Sequence, residues 1–345
     1  MSSTCPNTSS NVFNNVNESE SRLMLILSRD DMRRALDAAE LFEAMTEGFR
    51  RLAKGEWKIP LRIAIEMPAH EGVALFMPSY CENLAAAGMK LVTVMNGNPA
   101  KNLPLIHSKY LYFSAETGEI LSLMDAEFLT GLRTAVVSAL VTDLLGKSGA
   151  RTMAVFGTGA QAWSHVEVFA QLFTIGEVLV FGLTPELGEE FAERVERQLR
   201  KPSRRAILNE LKRAEIICTC TTNAEPLFEL KDVARNVHIN AIGAYRPSTR
   251  EIGSDVIARA LIVVDSYESA FKEAGDIVIA LNEGVLQRDS VYASIDELVS
   301  EAKPVPAVDD RITVFKSVGM ALEDLVAADL AYKKAVELGI GTPLR

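Results

Sequence analysis

Two groups of residues in this chain could do chemistry together: a glycine turn suited to phosphate, and three cations placed where a cation is costly. The turn is Gly157-Thr158-Gly159-Ala160-Gln161-Ala162, which follows the apolar run Met153 to Phe156 and opens a helical pattern. Gly157 suits the tight turn at a strand's end, Gly159 lets backbone approach a pyrophosphate, and the unpaired N–H groups of the following helix favour negative charge. Ala162 stands where a third glycine is usual, which still allows close helix packing. An ordinary strand-to-helix turn is the plain alternative. The cations are Arg62, Lys90 at the head of Lys90-Leu91-Val92-Thr93-Val94, and Arg133 inside the apolar stretch around Leu129 to Thr134. If they converge they make a carboxylate site, with guanidinium forks for bidentate contact and a lysine as a point charge. Surface snorkelling or ordinary salt bridges account for them equally well.

Other chemistries have less support. His70, His107, His165 and His238 show no metal-ligand spacing, so no metal site is expected. No G-x-S-x-G elbow or other nucleophile motif occurs, which leaves covalent hydrolysis without a candidate. By elimination the chemistry is hydride transfer, with a dinucleotide supplying the reactive atom and the protein supplying orientation and charge.

These residues need elements to hold them. One helix is expected from about Ser28 to Lys54, then strands at 62–66, 73–77, 88–95 and 108–114, and an apolar helix over 129–145. From Arg151 strands and helices alternate: strands at 153–156, 177–182, 215–220, 237–242 and 261–265, helices at 160–173 and 186–199, and a short one at 206–213. Helical segments at 270–273 and 291–300 and a final helix over 319–337, returning to the first part of the chain, complete the pattern. The fold class is therefore α/β, a doubly wound parallel Rossmann sheet beside a smaller α+β domain.

With 345 residues, two domains are expected. A net charge of −10 without a basic block argues against nucleic acid or anionic membrane as partner. Cys5, Cys81, Cys218 and Cys220 form no disulfide framework, which fits a reducing cytoplasm. Residues 1–22, rich in Ser and Asn, read as a disordered polar tail rather than a targeting peptide. No run is long enough to span a membrane.

Several blocks, in order, carry a further likeness: Gly88 to Thr93, Leu132 to Ala139, Gly157 to Ala162 with Ser164-His165, Ile239 to Ala244, Glu273 to Asp276, and Thr313 to Ala321 with Glu323-Asp324. From about Leu25 onward the chain resembles the ornithine cyclodeaminase and mu-crystallin family. The resemblance implies a homodimer in which residues 23–130 with 312–345 carry substrate and dimer contacts, and 131–311 form a Rossmann domain for a nicotinamide dinucleotide. It implies that Arg62, Lys90 and Arg133 hold the substrate carboxylate. It also implies that Thr134, Ala160, Gln161, Thr221, Ile242, Gly243, Ser317 and Val318 line the dinucleotide, with Gly157, Thr158, Gly159 and Gly319 in the adjoining loops. His107 is a further cofactor position in relatives, with a structural role as the alternative.

The departures select a branch. Where ornithine cyclodeaminases place an aspartate after the Gly243-Ala244 pair, this chain has Tyr245, and a phenol with a pKa of about 10 is no carboxylate base. Likeness to the ketimine reductase, mu-crystallin-like branch implies NAD(P)H-dependent reduction of a C=N bond in a small, cyclic imino acid, with Met77 and Tyr245 shaping the pocket. Reductive amination of a keto acid, an ornithine cyclodeaminase-type lyase and a non-catalytic crystallin-type binder are the alternatives. NADPH is preferred to NADH on the same likeness, since Phe181-Gly182-Leu183-Thr184 carries neither the acid of an NAD site nor the arginine of an NADP site. Thr184 could bond a ribose or a 2′-phosphate.

Overall fold

A computed structural model describes residues 23–308 and 310–344; the polar segment 1–22, Cys5 included, lies outside them. The first sheet contains β1 (Met24–Leu27), β2 (Trp57–Lys58), β3 (Ile63–Met67), β4 (Gly72–Cys81), β5 (Ala86–Met95), β6 (Ile106–Ser114) and β7 (Ile120–Asp125), with the last strand of the chain paired antiparallel to β1. β4 to β7 form an antiparallel meander in which Met77, Lys90 and Tyr110 lie side by side. Side chains alternate faces along a strand. His107, three residues from Tyr110, therefore turns away from Lys90, onto the face that carries exposed Ile63, Ile65 and Leu91. In one subunit that separates His107 from the cation cluster.

The second sheet is parallel throughout. Its strands are β8 (Thr152–Phe156), β9 (Glu177–Phe181), β10 (Ser203–Arg205), β11 (Ile216–Thr219), β12 (His238–Ala241), β13 (Leu261–Val264), β14 (Val291–Ser294) and β15 (Thr313–Lys316), in the order β10-β9-β8-β11-β12-β15-β13-β14. The chain is thus an α/β protein with a doubly wound Rossmann sheet, whose order reverses direction between β8 and β11. The crevice at such a reversal is where ligands bind in open α/β sheets.

Ten α-helices are described: α1 (Arg29–Ala35), α2 (Ala38–Ala53), α3 (Ala126–Leu144), α4 (Ala160–Leu172), α5 (Pro185–Leu199), α6 (Ser254–Ile257), α7 (Tyr267–Glu273), α8 (Gly275–Asn282), α9 (Ile295–Val299) and α10 (Ala321–Leu338); the short helix expected over 206–213 is a 3-10 helix at Leu208–Arg213. α10 returns to pack on α2, α3, β4 and β5. The single helix expected over 28–54 is two, because Leu36 is extended and the Asp37 carboxylate accepts the N–H groups of Ala39 and Glu40, capping a new helix. The helix expected over 291–300 is β14 followed by α9. Val291 and Ala293 bury their side chains alongside β13, and the helix starts only after Ser294, whose N–H donates to Glu297. β1, β2, β7, β10, β15 and the last strand match none of the strands expected from the sequence; β15 joins the middle of the parallel sheet from more than a hundred and fifty residues after β8.

α3 and α4 are stitched together by a wholly buried histidine. His165 Nδ1 donates to the Gln161 carbonyl at 2.8 Å, so its Nε2 is free to accept from Ser138 Oγ at 3.0 Å. Burial holds its pKa down at about 4, against the pull of the Gln161 carbonyl. An unfolded histidine titrates near 6.5. The unfolded chain therefore binds the extra proton first, and stability falls as pH drops from about 6.5 towards 4, by up to about 3 kcal/mol from this residue. Urea-unfolding midpoints across this range should fall less steeply in His165→Gln than in the wild type. Parallel slopes would refute the assignment.

Candidate active site

The carboxyl edge of the parallel sheet gathers the glycine turn and three loops. Gly157, directly after β8, has φ +99°, and a Cβ there would lie 2.6 Å from the Cys220 carbonyl oxygen. Only glycine fits both demands. Gly159 is the N-cap of α4, with no side chain to bond the first-turn N–H groups, and a Cβ built on it meets nothing within 4 Å. Thr158 lies between the two glycines, Ala160 opens the helix, and Ala162 is fully buried at its packing face. Gln161 keeps a buried Oε1 with no protein partner, an orphan acceptor beside the turn. Thr184 stands one strand over, as the N-cap of α5, where its Oγ accepts from Leu187 N–H at 3.4 Å.

Two buried carboxylates organise the remaining loops. Glu251 accepts from Thr219 Oγ (2.8 Å), Thr221 N–H (2.7 Å), Thr221 Oγ (2.6 Å) and Gly243 N–H (2.7 Å), joining the ends of β11 and β12. Ile242, the residue before Gly243, donates its N–H to Thr219 O. Asp265 accepts from Ser317 Oγ, Val318 N–H and Gly319 N–H at 3.2, 2.7 and 2.7 Å, fixing the loop after β15. Thr134 lies on α3 with its hydroxyl turned back to the Thr130 carbonyl. A dinucleotide fits these residues: a turn that excludes side chains, an uncapped helix start, and an unpartnered amide.

Next to this edge sits a buried ionic cluster. Lys90 Nζ lies 2.8 and 2.9 Å from the two oxygens of Asp324 and 3.5 Å from Thr130 Oγ. Arg133 Nε donates to the same carboxylate at 3.0 Å, and its Nη1 donates to Glu323. All four side chains are 5% exposed or less. Burial lowers the Lys90 ammonium to about 8, with Asp324 opposing the shift, and raises the Glu323 carboxyl to about 7, with Arg133 opposing it. Burial thus moves two groups of one cluster, a cation and an acid, towards neutrality from opposite sides.

Arg62 reaches the same place from the other side. Its Nη2 donates to the Val318 and Gly319 carbonyls, both at 3.2 Å, and pairs with Glu273 at 2.9 Å. Gly319 has φ +81°, and a Cβ there would lie 2.8 Å from Arg133 Nη1. The two arginines thus meet across a glycine, and the three cations do converge. Each is also ion-paired, as the salt-bridge alternative requires. Met77 is buried beside Lys90, whereas Tyr245 is 38% exposed on a cavity shared with Arg62, Leu75 and Glu273. Glu251, Asp265, Glu273, Glu323 and Asp324 are site residues that their sequence context does not mark. The cations signal that carboxylates must meet them, since a cation buried in an apolar element needs one, but not which carboxylates these are.

Among the described residues no group of three or more His, Cys, Asp or Glu is placed to hold a metal ion, and no helix is long and apolar enough to cross a membrane. The profile of the ornithine cyclodeaminase/mu-crystallin family matches residues 23–339. The rat ketimine reductase mu-crystallin is 35% identical over 315 residues, covering 90% of this chain and 97% of that protein. Among solved structures, the Thermococcus litoralis Delta(1)-pyrroline-2-carboxylate reductase in complex with NADH and L-proline superposes with a TM-score of 0.89 at 33% identity, covering 93% of this chain and 100% of that one. An archaeal alanine dehydrogenase dimer with bound NAD superposes with a TM-score of 0.87 at 29% identity, covering 93% and 99%.

Proposed function

The chain belongs to the ornithine cyclodeaminase/mu-crystallin family, and from that premise we propose that it reduces the C=N bond of a small cyclic imino acid with NADPH or NADH. The observation that carries this reading is the buried Lys90–Asp324–Arg133 cluster opening beside the glycine edge. Arg62 and Arg133 take the substrate carboxylate, the former by exchanging Glu273 for it. A nicotinamide dinucleotide bound along the edge supplies the hydride. Lys90, poised at about 8, gives the proton to the nitrogen as the carbon is reduced. Met77 and Tyr245 bound the side-chain pocket. Tyr245, in place of an acid, disfavours the cyclodeaminase alternative.

Residues 23–130 with 312–345 hold substrate and residues 131–311 hold the dinucleotide in this reading, supported by α10 packing on β4 and β5. A homodimer is supported by the exposed apolar face of Ile63, Ile65 and Leu91 and by the dimeric archaeal relative. A cytoplasmic location is supported by the free thiols of Cys81, Cys218 and Cys220. NADPH is preferred, since the three residues directly after β9 are Gly182-Leu183-Thr184, without the acid that marks an NAD site.

Purified protein mixed with NADPH or NADH and a panel of cyclic imino acids should oxidise the cofactor, faster than with keto acids plus ammonia. No oxidation across the panel would sink the proposal. Gly157→Ala should weaken binding of the preferred dinucleotide at least about tenfold, because a left-handed alanine costs about 1–3 kcal/mol and its methyl meets the Cys220 carbonyl. Fluorescence titration measures this, and unchanged affinity would remove the dinucleotide from the turn.

A further inference from the structure

The charge count in the ionic cluster does not leave room for another anion. Lys90 and Arg133 pair with two buried carboxylates of α10, Glu323 and Asp324, and a third, Asp265 from the loop after β13, acts on Glu323 from beside them. With all five ionised the group already has one negative charge in excess. Arg62 brings its own anion, Glu273, and the two charges cancel whether or not the pair stays closed. A carboxylate taken by Arg62 and Arg133 brings a further negative charge to the edge of a cluster whose side chains are almost fully buried. An uncompensated buried charge is costly enough that a group nearby changes protonation instead.

The three carboxylates are not equally able to take that proton. Asp265 is held by four donors: Ser266 N–H, Ser317 Oγ, Val318 N–H and Gly319 N–H. Asp324 is held by Lys90 and Arg133 together. Glu323 has only Arg133 and the Met320 N–H, and it faces both other carboxylates. Donors stabilise the ionised form and neighbouring anions destabilise it. Glu323 is therefore the carboxylate whose ionised form has the least support from its surroundings.

We propose that Glu323 takes up a proton from solvent when the substrate's carboxylate binds to Arg62 and Arg133 beside this cluster, so that this residue makes the buried site able to accept an anion. The inference rests on the carboxylate clamp proposed above. No bond is broken: the proton goes to Glu323 Oε and leaves with the product's carboxylate. The raised Glu323 carboxyl, at about 7, sets the range in which the effect is visible. Below it Glu323 is already protonated and binding is insensitive to pH. Above it each carboxylate bound must bring a proton, so affinity falls as pH rises. Lys90, at about 8, adds a second and later loss of affinity as it gives up its charge.

The test uses pyrrole-2-carboxylate, whose ring nitrogen is not basic, with the protein saturated in oxidised dinucleotide. Proton uptake is read with an indicator dye in weakly buffered solution, and affinity by calorimetry, from about pH 6 to pH 8. In the wild type, uptake should be near zero at the acid end and a large fraction of a proton per ligand at about pH 7.5, with affinity falling several-fold between. Glu323→Gln imitates the protonated side chain. It should keep its affinity over most of this range and lose most of the uptake, leaving only the part due to Lys90. Wild-type binding without uptake overturns the inference alone, and so does a Glu323→Gln variant with wild-type uptake and slope. No binding at any pH overturns the clamp itself, and the inference with it. Should Glu323→Gln fail to fold, the wild-type uptake still decides.

Discussion

Lys90→Arg is expected to lower kcat for imine reduction by about 10²- to 10⁴-fold while changing the affinity for a carboxylate ligand far less, because it separates the charge at this position from the proton. Lys90 is buried to 2% exposure, and its ammonium is held at about 8 by desolvation against the pull of Asp324. Near neutrality it is charged, yet close enough to its pKa to release a proton to the substrate nitrogen. A guanidinium keeps the positive charge that Asp324 requires but does not deprotonate in this range, so it cannot serve as the acid. Lys90→Met is the harsher comparison. It removes charge and proton together and leaves Asp324 with Arg133 alone, and breaking a buried pair in this way typically costs about 3–5 kcal/mol of stability. Thermal melting of both variants separates lost chemistry from lost fold. Dinucleotide oxidation under saturating substrate then reads kcat, and a folded Lys90→Arg within about tenfold of the wild type would remove Lys90 as the proton donor.

The parts of the site that were legible in the sequence are those whose signal is local. The turn from Gly157 to Ala162 is spelled out within six residues, because its backbone geometry and its close approach to Cys220 depend on glycine at one position. Arg62, Lys90 and Arg133 were legible as costs, since a cation in an apolar strand or helix demands compensation. Their partners were not legible as partners. Asp324 lies 234 residues from Lys90 and 191 from Arg133, and nothing in the Glu323-Asp324 pair distinguishes it from an ordinary acidic first turn of a helix. The same holds for the fold. Alternating strands and helices after Arg151 announced a parallel sheet, but the insertion of β15 between β12 and β13 is set by long-range pairing that no window of residues records. His107 shows the converse limit: its strand was legible, and the face it occupies follows only from register with Lys90 and Tyr110.

Glu251→Leu should lower the melting temperature by on the order of 10 °C and weaken dinucleotide binding more than about tenfold. Glu251 is completely buried and collects four donors from the ends of two neighbouring strands, at 2.6 to 2.8 Å. Leucine is close in size but accepts nothing. It would leave the N–H groups of Thr221 and Gly243 and two threonine hydroxyls without their partner, and each unmade bond to a buried donor costs about 1–3 kcal/mol. The damage also spreads sideways. Glu251 N–H donates to Asp276, which in turn pairs with wholly buried Lys316 at 2.9 Å, so a shift of residue 251 disturbs the loop that follows β15 as well. Gly243 cannot compensate by moving, because a Cβ at that position would already lie 2.1 Å from the Thr221 carbonyl; the two backbones are in contact. Glu251→Gln separates fold from site. Its amide oxygen can still accept from part of the donor set while its NH2 group opposes the rest, so melting should fall by less than in the leucine variant and dinucleotide affinity should still drop. Scanning calorimetry and fluorescence titration on both variants provide the measurements. Melting within a degree or two of the wild type for Glu251→Leu would show that the two loops hold their shape without this carboxylate.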